Sequence, residues 1–259
     1  MSHAERALHH TVHGAAGPPV LLLHGLGSCG ADWTPQVDAL APHYRVVAVD
    51  LPGHGASPLP SGRLTIEDMA GAVAALASEL DAAPAHVVGL SLGACVAVRL
   101  ALQAPARVRS LTLVNPFACV RPGGPGDVAR LAQRLWLLAT APMPRLAAHV
   151  ARRLFPWPEQ RALYDAAVSS LGATSRRGYA AAMRALARFD ARGQLGAIRR
   201  PTLVVAGDRD TVVALGPKLR LGAAIPGARV VVVPGSGHAT PYDQPAIFNR
   251  LLVDFLGQN

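Results

Sequence analysis

The sequence His86-Val87-Val88-Gly89-Leu90-Ser91-Leu92-Gly93 joins a short apolar run to the helix-forming residues Ala94-Cys95-Val96-Ala97. Residues 89–93 fit the pattern G-x-S-x-G, and a strand before it with a helix after it is the context that this pattern requires. The glycines allow a tight turn that holds the serine hydroxyl clear of the sheet, close to the partial positive charge of the helix N-terminus. The stretch therefore predicts Ser91 as a nucleophile, and the alternative is a glycine-rich turn with an incidental serine.

Other apolar runs extend this pattern in both directions along the chain. They are short, rich in Val and Leu, and bounded by Gly, Pro, Asn or Asp, and they occupy residues 20–23, 46–49, 111–114, 202–205 and 230–233. Such runs are typical of strands buried on both faces of a parallel sheet. Helical segments alternate with them, at residues 66–80 with Thr65 as the N-cap, at residues 91–103, and at residues 243–256 with Gly257 just past the end. The alternation predicts an α/β fold with right-handed crossovers.

The alternation of strands and helices lapses between residues 115 and 200. This segment is rich in Ala, Leu and Arg and is broken by prolines, so we interpret residues 116–195 as a helical insertion and residues 1–115 and 196–259 as one core domain. The insertion holds twelve arginines against four acidic residues, in a chain of net charge +9 at pH 7. Because these arginines are dispersed, they indicate a solvated helical surface, with attraction of an anionic substrate as the alternative.

The composition argues against several other classes of protein. Three cysteines, Cys29, Cys95 and Cys119, supply neither a disulfide framework nor metal-ligand spacing. No apolar run approaches the ~18 residues of a membrane span, and the N-terminal residues do not resemble a signal peptide. We therefore expect a cytoplasmic protein, a monomer or homodimer, that binds no nucleic acid or membrane and needs no metal or organic cofactor.

A serine hydroxyl needs a base, and His238 stands in a glycine-rich loop directly after the last predicted strand. That places it at the carboxyl edge of the sheet, where Ser91 also lies. An acid should orient the histidine, and the stretch Ala-Gly-Asp-Arg-Asp follows the preceding strand. Asp210 is the candidate acid, and Asp208 is the competing residue, which we expect to turn the loop or to pair with Arg209. The chain order Ser, Asp, His is the one expected when the serine follows a strand in this way.

Stabilising a tetrahedral oxyanion takes two backbone N–H donors. The amide of Leu92, immediately after the serine, is one candidate. The loop after the first predicted strand, His24-Gly25-Leu26-Gly27, supplies the other, and Leu26 is its expected donor. His24 could be mistaken for a base, but its place beside glycines indicates that it shapes the loop.

Together these motifs resemble the α/β-hydrolase superfamily from about residue 21 to residue 238. The resemblance rests on residues 23–27, on Trp33, on Asp-Leu-Pro-Gly-His-Gly-Ala-Ser at 50–57, and on residues 89–93, 207–210 and 237–238. It implies an eight-stranded, mostly parallel sheet flanked by helices, a helical cap inserted after the sixth strand, and a structural role for residues 50–57. Similar chains are small esterases, enol-lactonases and cofactor-free haloperoxidases, whereas epoxide hydrolases and haloalkane dehalogenases have an aspartate at the position of Ser91.

The resemblance and the predicted triad point to cleavage of a small-molecule carboxylic ester, of short or medium acyl chain, through an acyl-enzyme. A lactonase, a C–C bond hydrolase, a cofactor-free perhydrolase or lyase, and a slow hydrolase-fold receptor for small molecules are the alternatives. We expect apolar cap residues to line an acyl pocket, chiefly Trp136, Phe155, Trp157 and Met183, with few charged groups facing the site.

Overall fold

A seven-stranded sheet organises the part of the chain that the computed structural model describes, residues 7–121 and 124–259. The strands are β1 (His10–His13), β2 (Pro19–Leu23), β3 (Arg45–Val49), β4 (Ala85–Leu90), β5 (Val108–Val114), β6 (Thr202–Gly207) and β7 (Arg229–Val233). They lie in the order β1-β3-β2-β4-β5-β6-β7. β1 is antiparallel to β3 and every other pair is parallel, so the predicted α/β class is confirmed.

The expected count of eight strands is wrong by one in the described chain. The six predicted apolar runs correspond to β2 through β7, and β1 is a strand that no apolar run marked. β1 lies at the edge of the sheet with Thr11, Val12 and His13 exposed, so its sequence needs little apolar character. The eighth strand was implied by the resemblance alone, and the three described residues ahead of β1 form no strand.

Side chains alternate between the two faces of the sheet and enter two separate apolar cores. Leu21 and Leu23 of β2 pack with α2 (Ile66–Glu79) and α3 (Leu92–Gln103). Val20 and Leu22 point the other way and share a core with α1 (Thr34–Leu40) and α10 (Pro245–Gly257). All six residues of β4 are buried. Burial on both faces explains why these strands are continuously apolar in sequence.

The structure confirms the predicted core helices, with changes at their ends. α2 has the predicted capping box: Thr65 Oγ1 accepts from Asp68 N (3.1 Å), and Asp68 Oδ2 accepts from Thr65 N (2.9 Å). The C-terminal helix is corrected, because a separate short helix, α9 (Thr240–Asp243), comes first, and α10 then runs from Pro245 and includes Gly257. Proline suits the first turn of a helix, where its missing N–H breaks no helical hydrogen bond. One more core helix, α8 (Leu215–Ala224), follows β6.

In the described residues between β5 and β6 there are four α-helices: α4 (Pro125–Thr140), α5 (Met143–Leu154), α6 (Arg161–Ala173) and α7 (Arg176–Arg188). They belong to residues 116–195, which we call the helical insertion. Its two ends meet, because Ala191 N donates to Ala118 O (2.8 Å) and Cys119 pairs with Asp190 in an isolated antiparallel bridge. In the described chain, no helix combines the length and the apolar character that a bilayer span requires.

Candidate active site

Ser91 stands on a strained turn between β4 and α3. Its backbone has φ 53° and ψ −104°, a conformation that non-glycine residues rarely adopt. The turn has no room for side chains at the flanking glycines, because a Cβ on Gly89 would lie 2.3 Å from Gly93 O and one on Gly93 would lie 2.0 Å from Leu23 O. Ser91 N donates to Val114 O (3.0 Å), which holds the turn against β5. Backbone strain of this kind clusters at functional sites.

His238 and Asp210 come from two different strand ends and lie in hydrogen-bonding contact. His238 Nδ1 is 2.7 Å from Asp210 Oδ2, and Asp210 Oδ1 accepts from Val212 N (2.7 Å) and Val213 N (3.0 Å). The Asp210 side chain is only 1% exposed. Burial disfavours its charge, but the adjacent His238 and the ammonium of Lys218 outweigh burial and hold the pKa of this carboxyl well below its usual range. An ionised carboxylate on Nδ1 leaves Nε2 of the imidazole free for proton transfer.

The competing acid, Asp208, makes a different contact. It is exposed, and its Oδ1 accepts from Gly235 N (2.8 Å), which links the loops after β6 and β7. Arg209 does not pair with it; its guanidinium lies 5.7 Å from the centre of the Trp157 ring. The structure therefore brings Asp210 to His238 and leaves Asp208 as a residue of the turn.

Lys218, on α8, is a third member of this cluster, and sequence reasoning missed it. Its Nζ lies 2.6 Å from Asp210 Oδ2, the oxygen that also meets His238, and its side chain is 0% exposed. Nζ also donates to Asn115 Oδ1 (2.7 Å) and Gly207 O (3.1 Å). Burial lowers the pKa of this ammonium, and the carboxylate of Asp210 opposes the shift. The signal in the sequence was that Lys218 is the only lysine of the chain.

Asn115, directly after β5, ties the surrounding loops to one another. Its side chain is buried, and its backbone has a left-handed φ of 46°. Its Nδ2 donates to His238 O (2.8 Å) and Thr240 Oγ1 (3.0 Å), while its Oδ1 accepts from Gly207 N (2.8 Å) and from Lys218. One amide side chain therefore connects the ends of β5 and β6 with the loop that carries the histidine.

The loop that carries Leu26 is held by a buried histidine. His24 Nε2 accepts from Leu51 N (3.0 Å), so Nδ1 carries the proton and donates to Gly25 O (2.7 Å). Burial lowers the pKa of His24 to about 4 and keeps it neutral, so this residue shapes the loop as expected. Among the described residues, the amides of Leu26 and Leu92 donate to no side chain and to no loop carbonyl. Both are therefore available to a ligand.

The loop of residues 50–57 is organised by the carboxylate at its start. Asp50 Oδ1 accepts from Gly30 N (2.7 Å), and its Oδ2 accepts from Ala56 N (2.9 Å) and lies 2.7 Å from His9 Nδ1. Ser57 Oγ donates to Asp50 O (2.6 Å). These contacts bind the loop to itself and to its neighbours, which agrees with the structural role that the resemblance implied.

A cavity of about 660 Å³ lies between the core and the helical insertion. Ser91, His238 and Leu26 line it from the core, and Phe155 and Met183 line it from the insertion. The structure therefore gathers the serine and the histidine at one cavity, with apolar side chains opposite them. Within residues 7–121 and 124–259, no group of three His, Cys, Asp or Glu side chains is placed to hold a metal ion.

Trp136 and Trp157 do not line this cavity, which corrects the expectation for both. Trp136 is 61% exposed. The residues of α4 that line the cavity recur at helical spacing, and Trp136 falls outside their stripe. They are Asp127, Arg130, Leu131, Arg134, Leu135 and Leu138. Trp157 lies instead beside Arg209, outside the cavity wall.

The expectation that few charged groups face the site is also corrected. The insertion contributes several basic side chains to the cavity wall: Arg121, Arg130, Arg134, His149, Arg153 and Arg184. Long arginine side chains can pass along apolar surface and still bring the guanidinium to a cavity, so the apolar pattern of these helices did not exclude them.

A family model described as alpha/beta hydrolase fold matches residues 18–245. The chain belongs to this family. A protein of Variovorax paradoxus, whose assignment as the carbamate hydrolase RutD is provisional, is 36% identical over 97% of this chain and 96% of its own. The pimeloyl-[acyl-carrier protein] methyl ester esterase of Methylococcus capsulatus is 34% identical over 94% of this chain and 96% of its own. The crystal structure of the enol-lactonase from Burkholderia xenovorans superposes with a TM-score of 0.88 at 31% identity, covering 96% of each chain.

These members of the α/β-hydrolase family are named for three different bonds: a carbamate, a methyl ester and an enol-lactone. All three are similar to this chain over nearly its whole length. The comparisons therefore identify a hydrolase of this fold, and they do not distinguish between these three bonds.

Proposed function

We propose that this protein is a serine hydrolase that cleaves carboxylic esters of short or medium acyl chain through an acyl-enzyme. The observation that carries the proposal is the cavity shared by Ser91 and His238, with Asp210 Oδ2 at 2.7 Å from His238 Nδ1. A strained serine, a histidine and a buried ionised carboxylate are the parts that acyl transfer requires.

In the proposed first step, His238 Nε2 takes the proton of the Ser91 hydroxyl as its oxygen attacks the ester carbonyl. The resulting imidazolium is stabilised by the carboxylate of Asp210 on Nδ1. The tetrahedral intermediate then collapses, the C–O bond to the alcohol breaks, and His238 gives its proton to the leaving oxygen. Water, deprotonated by the same imidazole, attacks the acyl-enzyme and releases the carboxylic acid and free Ser91.

The negative oxygen of each tetrahedral intermediate is assigned to the amides of Leu26 and Leu92. Leu92 is the first residue of α3, so the helix N-terminus adds to the positive potential there. Leu26 lies on the loop that His24 holds in place through Gly25 and Leu51. Donors fixed before the reaction stabilise developing charge without rearrangement, which is why a rigid loop favours this role.

The helical insertion acts as the cap in this proposal, and the cavity beneath it receives the acyl chain. Phe155 and Met183 supply apolar surface opposite the serine. Lactones are a second substrate class for the same triad, favoured by the similarity to the enol-lactonase at 31% identity over 96% of this chain. A lactone differs only in that the leaving alcohol stays attached to the acyl group.

Hydrolysis of a chromogenic ester panel, from acetyl to dodecanoyl, by the wild type and by Ser91→Ala tests the proposal. We expect turnover to peak at one chain length and kcat to fall at least ~10³-fold in Ser91→Ala. Ser78→Ala, which removes a surface hydroxyl bound to Ala74 O, is the matched control and should retain full activity. A fluorophosphonate probe followed by mass spectrometry should label Ser91 alone. Activity that survives in Ser91→Ala, or labelling elsewhere, would exclude the assigned nucleophile.

A further inference from the structure

The wall that the helical insertion contributes to the cavity is strongly basic. Arg130 and Arg134 come from α4, and His149 and Arg153 come from α5. Asp127 is the acidic residue of this wall, and it forms a salt bridge with Arg130. Arg134 and Arg153 form no salt bridge with any described carboxylate. Two arginines therefore bring their full charge to the cavity.

Both arginines are half-buried and anchored. Arg134 Nε donates to Tyr179 Oη (2.8 Å), and its guanidinium lies 5.3 Å from the centre of that ring. An Arg153 Nη atom donates to Thr211 O, and Thr211 Oγ1 donates back to Arg153 O (2.7 Å). Thr211 directly follows Asp210, so Arg153 lies next to the loop that carries the proposed acid. Anchored guanidinium groups lose little freedom when they bind a ligand.

The arrangement also places like charges close together. Burial lowers the pKa of Arg153, the charges of Arg130 and Arg134 lower it further, and Asp127 and Asp210 oppose the shift. Burial likewise lowers the pKa of His149, and its arginine neighbours add to the effect. Like charges gathered around a cavity disfavour each other until an anion occupies the space between them.

We propose that Arg134 and Arg153 bind a carboxylate on the substrate, at the end of the acyl chain remote from the scissile bond. The preferred substrates are then half-esters or lactones of dicarboxylic acids. This inference rests on the proposed function, since it names the substrate class of the same site. Guanidinium groups pair with carboxylates through parallel N–H···O bonds, which gives both affinity and orientation.

The test compares half-esters with neutral esters of equal length: monomethyl succinate, glutarate and adipate against methyl butanoate, pentanoate and hexanoate. We expect the wild type to favour the charged member of one pair about tenfold or more in kcat/KM, the size of a charge-assisted hydrogen bond. Arg153→Gln and Arg134→Gln should each reduce this preference several-fold, mainly through KM. High salt should weaken the preference as well, because the cavity is open to solvent.

Two variants control for structure and for net charge. Thr211→Val removes the hydroxyl that donates to the backbone oxygen of Arg153 and keeps Thr211 O, which holds the guanidinium, so the preference should persist. Arg161→Gln removes an exposed arginine that pairs with Asp165 outside the cavity, and it should change nothing. Equal turnover of charged and neutral esters by the wild type would overturn the carboxylate site and leave the esterase proposal intact.

Calorimetric measurement of glutarate binding to Ser91→Ala distinguishes a failure of the proposed reaction from a failure of the proposed carboxylate site. If no ester is cleaved but glutarate binds and Arg153→Gln abolishes the binding, then the proposed reaction fails and the anion site stands. If esters are cleaved and glutarate does not bind, then the anion site fails alone.

A second and independent inference concerns the buried lysine beside the proposed acid. The Asp210 Oδ2 atom lies 2.6 Å from Lys218 Nζ and 2.7 Å from His238 Nδ1. We infer that Lys218 is a positioning residue for the catalytic pair, which keeps Asp210 ionised and fixes the oxygen that meets His238. The neighbouring ammonium lowers the pKa of the Asp210 carboxyl, and its contact holds Oδ2 in place against His238 Nδ1.

Other charged groups also face this pair. Asp243 lies beside the loop that carries His238, where its Oδ2 accepts from Gly237 N (2.6 Å). Arg153 faces Asp210 from α5, and Asp208 faces Lys218 from the loop after β6. Lys218 differs from all of these in sharing an oxygen with the histidine, so its removal should dominate the pH response.

The pH profile of kcat/KM for Lys218→Met tests this role. We expect its acidic limb to move to higher pH, because the Asp210 carboxyl loses a neighbouring cation that lowers its pKa. Lys218→Gln should shift the acidic limb in the same direction. It replaces the methionine variant in this test if that variant folds poorly. Leu221→Ala, a buried residue of the same helix, should lower the Tm and leave the limb in place. A folded lysine variant with an unmoved limb would overturn the inference.

Discussion

The loops at the carboxyl edge of the sheet and the helical insertion that faces them are built in different ways. At the sheet edge, Asn115, Lys218 and Asp210 have buried side chains with several hydrogen bonds each. The cavity face of the insertion consists of apolar and basic side chains, and Arg134 and Arg153 there are only half-buried. We therefore expect the proposed bond cleavage to depend on the hydrogen-bonded core and the proposed substrate choice to depend on the cavity face of the insertion.

The two regions are joined through a few close backbone contacts. A Cβ on Gly178 of α7 would lie 1.9 Å from Gly53 O, so this helix rests directly on the loop of residues 50–57. Thr174 Oγ1 donates to Gly27 O (2.8 Å), beside the proposed oxyanion donor Leu26. The insertion is therefore held against the loops that shape the site. Substitutions can be placed in the core, in the insertion or at the contact between them.

The largest loss of activity should come from a substitution in the core. Asp210→Asn should lower kcat by about 10³- to 10⁴-fold, because an amide favours the wrong tautomer of His238. The ranking of ester chain lengths should stay the same, since the cavity is untouched. Asp208→Asn is the matched control and should cost little, because the hydrogen bond from Gly235 N to the Asp208 Oδ1 atom can be kept by an amide oxygen. Steady-state kinetics of both variants settles which aspartate is the acid, and the reverse pattern would exchange their roles.

The next largest effect should be a loss of stability at acidic pH, because the core buries neutral histidines. Burial lowers the pKa of His24, His54 and His86 to about 4, 3 and 4, so the unfolded chain binds protons near pH 6.5 that the folded chain does not. The free energy of unfolding should therefore fall as pH drops from 6.5 toward 4, by about 2 kcal/mol per histidine between pH 7 and 5.

Urea unfolding at pH 7, 6 and 5 measures this loss. His86→Gln lies away from the cavity, where His86 contacts Ser110 Oγ at 2.7 Å, and it should make the pH dependence shallower by the share of one histidine. An unchanged slope in this variant would show that other groups control the acid response.

Weakening the contact between the two regions should reduce activity less than the loss of Asp210. Gly178→Ala forces α7 away from Gly53 and should cost about 1–3 kcal/mol of stability, as overpacking does. The kcat/KM for the best ester should fall several-fold, while fluorophosphonate labelling of Ser91 continues. Gly172→Ala is the control, because a Cβ there would lie 3.6 Å from its nearest neighbour and fits. Thermal denaturation and ester kinetics of the two variants check this, and equal losses would mean that the insertion is not docked through Gly178.

Reshaping the insertion alone should change only the choice of substrate. Met183→Ala enlarges the apolar part of the cavity and should shift the preferred ester toward longer chains, by roughly tenfold in the ratio of kcat/KM values. Trp136→Ala removes a larger side chain that points to solvent, and the chain-length profile should not change. A shift caused by Trp136→Ala would restore the original expectation that this residue contacts substrate.

Sequence reasoning placed candidate residues correctly where their position depends on strand ends. Apolar runs followed by glycine-rich loops located Ser91, Asp210 and His238 at one edge of the sheet, because the ends of parallel strands meet there. It failed where the direction of a side chain mattered. Trp136 lies on a helix of mixed Ala, Leu and Arg, and such a segment does not specify which face meets the core. Trp157 lies in the connection between α5 and α6, where no periodic pattern fixes the direction of a side chain.

The sequence by itself determined the fold class, the family and the order of the candidate catalytic residues, because these depend on local pattern and chain order. Only the tertiary structure decided that Lys218 shares an oxygen of Asp210 with His238, and that arginines line the cavity. These are contacts between segments far apart in the chain, such as Lys218 with Asn115 or Arg153 with Thr211. Burial and charge pairing arise from such contacts, so no local sequence pattern predicts them.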